Sequence, residues 1–201
     1  MKAFLLAAVV STATLAPQAF AQGRNFEGFS VGANATSSSV GTDAKGLGVS
    51  DKFGDSSENF GLQAAYGFPM GSNGVLGLGG TYTLADFNAG NISSGSTAMK
   101  LKGKDMYSLY VEPGFLVNPS TLIFAKAAYI SMKGETSIVG STGGSENFDG
   151  LGYGAGVRMS FGKSAFWQFE LTQSDYNAKT VSAINLKPSA FNRTIGVGFR
   201  F

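Results

Sequence analysis

Ile195-Gly196-Val197-Gly198-Phe199-Arg200-Phe201 is the stretch that decides the reading of this chain. Successive side chains of a strand point to opposite faces, so Ile195, Val197, Phe199 and Phe201 share one face and Gly196, Gly198 and Arg200 the other. The first face is large and apolar throughout; the second is small or charged. Such a strand needs cover for its apolar face and a hydrogen-bonding partner along both edges. A closed transmembrane sheet supplies both, with hydrocarbon outside and neighbouring strands on either side.

The same alternation recurs along the chain, near 26–36, 58–68, 75–86, 105–117, 121–133, 149–161, 165–177 and 190–201. Each segment is long enough to cross a bilayer at the usual strand tilt. Pro69–Gly74, Asn118–Ser120 and Gly162–Ser164 read as short turns. The stretches 37–57, 87–104, 134–148 and 178–189 read as long polar loops rich in Ser, Thr, Gly, Asn and Asp. The predicted fold is therefore all-β: an eight-stranded antiparallel up-and-down transmembrane barrel with both termini periplasmic and four long loops outside. Large residues such as Phe60, Leu62, Leu78, Tyr107, Leu109, Ile123, Tyr153 and Trp167 fall on the outward face, and Asn34, Gln63, Thr81, Ser108, Tyr110 and Gln168 on the inward one.

The N-terminus agrees. Lys2 precedes an apolar stretch from Ala3 to Leu15, and Ala19-Phe20-Ala21 is a small-x-small cleavage motif. Residues 1–21 are expected to form a cleaved signal peptide and 22–201 the barrel domain. With Lys2 removed, the formal charge of +2 falls to +1. No run of Lys and Arg exists, so nucleic acid is not an expected partner. The 29 glycines alternate with large side chains, as in Gly150-Leu-Gly-Tyr-Gly-Ala-Gly-Val157, which points to close packing inside a barrel and away from disorder.

Four charges fall on the inward face by parity: Glu112, Lys126, Arg158 and Glu170. A turn centred on Pro119 places Glu112 directly across from Lys126. A turn centred on Ser164 would place Arg158 across from Glu170 and Phe161 across from Trp167. Opposite charges meet in both registers, and a one-residue slip would turn each charge into lipid. The expected role is structural, a polar lumen filled by side chains, because eight strands enclose barely more than side-chain width. Arg200 is expected to extend this network at the periplasmic rim, and outward Arg193 to reach lipopolysaccharide phosphate or water.

The chain contains no His and no Cys. Ser-His-Asp and Cys-His catalysis and His or thiolate metal sites are thereby excluded, and no catalytic residue, cofactor or metal is expected.

Three stretches carry a family resemblance: Gly150-Leu-Gly-Tyr-Gly-Ala-Gly-Val-Arg158, Phe166-Trp-Gln-Phe-Glu-Leu171 and Gly196-Val-Gly-Phe-Arg-Phe201. With them the chain resembles the small eight-stranded outer-membrane barrels, the opacity-type adhesins and the membrane domain of outer membrane protein A. The resemblance implies a bacterial outer-membrane location, with membrane lipid and lipopolysaccharide as surroundings. It also makes Ile195, Val197, Phe199 and Phe201 similar to the C-terminal signal read by the outer-membrane assembly machinery. The function it implies is a non-enzymatic structural and surface-interaction role, with a ligand met through the loops 37–57, 87–104, 134–148 and 178–189. A narrow porin-like channel is the alternative.

Overall fold

The computed structural model describes residues 25–46, 49–94, 97–138, 144–181 and 184–201. The expected signal peptide, 1–21, lies outside the described residues. The strands are β1 (Gly28–Gly46), β2 (Val49–Met70), β3 (Gly74–Thr83), β4 (Phe87–Ser94), β5 (Thr97–Asn118), β6 (Thr121–Ile138), β7 (Ser145–Phe161), β8 (Ala165–Tyr176), β9 (Lys179–Val181) and β10 (Ile184–Arg200). Antiparallel pairing runs β1-β2-β3-β5-β6-β7-β8-β10, and β10 returns to β1. That circuit is a closed barrel of eight strands. The short strands β4 and β9 are attached to β5 and β10 respectively.

Closure depends on the final strand. β10 pairs with β1 from Ser30↔Arg200 to Lys45↔Asn185, and with β8 from Phe199↔Ala165 to Ser189↔Asp175. The Phe201 N–H donates to the Phe29 carbonyl at 2.9 Å, and the two rings lie 6.1 Å apart. No backbone edge is left open along this seam, as a hydrocarbon environment demands.

The four stretches expected as loops are largely ladder. β1 and β2 stay paired from Gly28↔Gly67 to Gly46↔Val49, so 37–57 is mostly a hairpin. Within 87–104, β4 folds back on β5 from Phe87↔Gly103 to Ser94↔Thr97. β6 and β7 remain paired through Glu135↔Ser145, which takes up the edges of 134–148. Within 178–189, β9 pairs with β10. The sequence signal fails here because an extension with water on its outer face needs no apolar alternation to stay paired; the backbone ladder suffices.

The barrel interior is layered, and β6 shows how. From the Pro119 turn its inward residues are Leu122, Phe124, Lys126, Ala128, Ile130 and Met132, all buried, while Ile123, Ala125, Ala127 and Tyr129 face out. On the short-turn side, Phe26, Val75, Leu116, Leu122, Phe124 and Phe166 form an apolar cluster. On the hairpin side, Val40, Tyr110, Ile130, Met132, Phe148, Tyr176 and Leu186 form a second. The lumen is thus not polar throughout, as parity and composition suggested, but a polar layer between two apolar ones. Two glycines make room for the lower plug: a Cβ on Gly156 would come within 2.5 Å of the Phe124 ring, and one on Gly198 within 2.4 Å of Phe166.

Candidate functional site: the charged layer inside the barrel

Glu112, Lys126, Arg158 and Glu170 come from β5, β6, β7 and β8 and are each at least nine-tenths buried. The β5–β6 register is set by the tight turn at Pro119–Ser120 together with a one-residue shift between Leu116 and Asn118, and it includes Val111↔Ala127 and Gly114↔Phe124 on either side of Glu112 and Lys126. Lys126 Nζ lies 3.2 Å from Glu112 Oε1, off the hydrogen-bonding direction, and donates to Glu170 Oε2 at 2.6 Å.

The β7–β8 turn differs from expectation. Three residues, Gly162–Ser164, make the connection, and Gly162 takes a positive φ of 68° that suits glycine. The ladder therefore pairs Arg158 with Gln168, Gly156 with Glu170, Met159 with Trp167 and Phe161 with Ala165. The expected Arg158–Glu170 and Phe161–Trp167 cross-strand pairs do not form. The offset is an even number of residues, so every side chain keeps its face.

Arg158 instead donates from Nε to Gln168 Oε1 at 2.9 Å and from Nη2 to Glu112 Oε2 at 3.0 Å. Gln168 Nε2 continues the chain to Gln63 Oε1 on β2 at 2.9 Å. Contacts thus run Glu170–Lys126–Glu112–Arg158–Gln168–Gln63 and cross the barrel from wall to wall. Two cations meet two carboxylates, so the layer carries no formal net charge. Aromatic faces complete it: Lys126 Nζ sits 4.1 Å from the Tyr110 ring centroid, and the Arg158 guanidinium lies 5.0 and 5.2 Å from those of Phe124 and Phe166.

Gln63 and Gln168 are the members that reading charge alone missed. Their inward parity was visible in the sequence, but only the three-residue β7–β8 turn brings Gln168 opposite Arg158. Arg200 donates to the Lys163 carbonyl at 2.7 Å, which ties the end of β10 to the β7–β8 turn. Arg193 is exposed, stacks 5.1 Å from the Phe191 ring and donates to Ser39 Oγ at 3.3 Å. Ile195, Val197, Phe199 and Phe201 all lie on the exposed outer face, 44–61% accessible.

The layer divides the interior. A cavity of about 110 Å³ lies on its hairpin side, with Lys126, Gln168 and Glu170 in its floor. A space of about 10 Å³ lies on the other side, against Arg158, Phe166 and Arg200. Among the described residues, no cluster of acidic side chains is placed to hold a metal ion.

Around the outside, Phe60, Leu62, Leu78, Tyr82, Leu109, Tyr129, Leu151, Tyr153, Ile195 and Val197 form an exposed apolar band. In a water-soluble protein such a band would be a large aggregation hazard; on a membrane barrel it is the lipid-facing surface. No helix among the described residues is long and apolar enough to cross a membrane.

Comparison with known proteins agrees with this geometry. Residues 3–201 match the outer membrane protein beta-barrel domain family. No curated protein matches the sequence. Solved structures of similar fold include the attachment invasion locus protein of Yersinia pestis, at 19% identity over 87% of this chain and 99% of that one, TM-score 0.53. Neisserial surface protein A is similar at 15% identity over 87% of this chain and 98% of that one, TM-score 0.54. The outer membrane protease OmpT of Escherichia coli is similar at 9% identity over 89% and 98%, TM-score 0.52. At these identities the likeness is one of fold. By the match along its length and its closed eight-stranded sheet, the chain belongs to the outer membrane protein β-barrel family of the bacterial outer membrane.

Proposed function

We propose that this protein is a plugged, non-enzymatic barrel that acts at the cell surface through its four extended hairpins. In this reading the short turns and both termini face the periplasm, and lipid and lipopolysaccharide surround the apolar band. The observation that carries it is the charged layer. A neutral network of hydrogen bonds and ion pairs from Gln63 to Glu170, backed by Phe124 and Phe166, occupies the cross-section where a pore would have to run. A conducting path would have to part buried ion pairs, which is costly in a low-dielectric interior. Absence of His and Cys from the whole chain removes the usual acid–base and nucleophile pairs, which favours a non-enzymatic role.

Beyond the apolar band the sequence of the hairpins is rich in Ser, Thr, Asp and Lys on paired strands, residue types suited to polar recognition. Planar-bilayer recording on purified protein tests the plug. Rare, small openings are expected, and a large, steady, ion-selective conductance would replace this reading with the narrow channel. Trimming the β1–β2 hairpin at residues 44–52 tests the surface role. The shortened protein should keep its folded migration in SDS but lose binding to cells or matrix.

A further inference from the structure

The chain does not enter β1 along the line of the barrel wall. Asn25 precedes β1, which begins at Gly28, yet its Nδ2 donates to the Pro119 carbonyl of the β5–β6 turn at 2.7 Å. In the circuit β1-β2-β3-β5-β6-β7-β8-β10, β6 stands directly opposite β1. Residues 25–27 therefore cross the mouth of the barrel on the short-turn side. Two positive φ angles, 74° at Phe26 and 86° at Gly28, make the sharp turn off the strand. Gly67 lets the segment pass close against the wall, since a Cβ there would collide with the Phe26 carbonyl.

The crossing sets Phe26 into the mouth. The side chain is buried, in one cluster with Val75, Leu116, Leu122, Phe124 and Phe166. It lines the same space of about 10 Å³ as Arg158, so the ring stands between the mouth and the guanidinium of the charged layer. The fastening is weak. A left-handed backbone is unfavourable for a residue that carries a Cβ, and Phe26 keeps it only while burial of the ring offsets the strain. Its polar ties include the exposed Asn25–Pro119 bond and two long ones from Arg200. Nη1 donates to the Glu27 carbonyl and Nη2 to Asn25 Oδ1, each at 3.5 Å.

We propose that residues 25–27 are a strap that shuts the short-turn mouth, with Phe26 as its stopper, and that release of the strap lets water reach Arg158. Closed, it keeps the ion pairs dry on that side, where water would weaken them. Arg200 belongs to the last strand and Pro119 to the far wall, so the strap can close only on a completed barrel.

The test uses the absence of Cys from the chain. Val75→Cys, a small change at a residue 3% exposed, places a single thiol in the Phe26 cluster, and Ser72→Cys places one in the exposed β2–β3 turn. Protein refolded in detergent micelles is treated with a small charged methanethiosulfonate, and the reaction is followed by mass spectrometry. The Val75→Cys thiol should react slowly and the Ser72→Cys thiol fast. Asn25→Ala keeps the Phe26 ring but removes the tie to Pro119, and should speed the Val75→Cys reaction about fivefold, the equivalent of one hydrogen bond. Phe26→Ala should speed it further and Phe26→Leu little, while the Ser72→Cys rate stays the same in all three. Folding of each variant is checked by heat-modifiable migration. If Val75→Cys does not fold, Leu122→Cys, also 3% exposed and paired with Arg158 in the ladder, takes its place. Fast reaction of the buried thiol with the strap intact would overturn the proposal. An unchanged rate in either Asn25→Ala or Phe26→Ala would do the same, since a stopper held by the strap must respond to both.

Discussion

Lys126 on β6 donates to Glu170 on β8 at 2.6 Å, although β7 lies between the two strands and neither pairs with the other. The ammonium reaches over Gly154, its own cross-strand neighbour on β7, which offers no side chain to block the path. Ion pairing in this barrel is therefore organised across the lumen as well as along the ladders. Glu112 keeps Arg158 as a partner when Lys126 is removed, but Glu170 has no second cation in the layer.

Lys126→Met should consequently strand Glu170 and destabilise the barrel by about 3–5 kcal/mol. Adding Glu170→Gln should restore much of that loss, since the second change removes the uncompensated charge. Adding Glu112→Gln instead should restore less, because it leaves Arg158 short of its carboxylate. Urea unfolding in detergent micelles measures all three. Equal rescue by the two carboxamides would show that Lys126 serves both carboxylates alike.

Gly198→Leu should be more damaging than Gly71→Leu. At Gly198 a Cβ meets the Phe166 ring at 2.4 Å and the Val31 carbonyl at 2.6 Å, whereas nothing stands within 4 Å at Gly71. Gly71 does have a positive φ, so its substitution carries backbone strain of about 1 kcal/mol. The Gly198 variant must displace both the plug and the closing seam. The fraction that resists unfolding in SDS at room temperature should fall sharply for Gly198→Leu and little for Gly71→Leu.

The hairpin extensions should loosen in acid. Beyond Leu151, the Asp149 carboxylate accepts from Asn177 Nδ2 at 2.7 Å and faces Lys179 Nζ at 3.4 Å, and these hold it below the usual aspartate range. The Lys104 ammonium, 2.6 Å from Glu135, holds that carboxylate down in the same way and is itself raised. A depressed carboxylate stabilises above its unfolded pKa and loses that contribution as pH falls through the folded value. The acid window therefore opens near pH 4 and extends downward. The raised lysine adds stability below its unfolded pKa and loses it above about pH 10.4. The protection of the Asn177 amide, relative to its intrinsic exchange rate at each pH, should fall below pH 4, and Asp149→Asn should flatten that dependence.

Removal of Phe201 tests the proposed assembly role of Ile195, Val197, Phe199 and Phe201. The residue contributes one backbone bond to Phe29 and a ring contact, both at the rim of the sheet. Purified protein lacking Phe201 should still refold in detergent, while the amount assembled in cells should drop several-fold. Normal assembly in cells would remove the signal role and leave only the rim contact.

Alternation was enough to determine the class of fold, because hydrocarbon outside a barrel forces large apolar residues onto one face whatever the partner strand. Ile195, Val197, Phe199 and the outward residues of β6 were legible for that reason. So were the inward positions of Glu112, Lys126, Arg158 and Glu170, since parity survives any even shift of register. Their partners were not. One tight turn at Gly162–Ser164 moved Arg158 opposite Gln168, and the curvature of the closed sheet brought Lys126 across to Glu170. The apolar plugs were also hidden, since Leu122, Phe124, Ile130 and Met132 share the inward face of β6 with a lysine. Nor could the sequence show the hairpin extensions, where backbone pairing persists without an apolar face to announce it. Pattern decides which way a side chain points; only the closed sheet, through turn length and curvature, decides what it meets there.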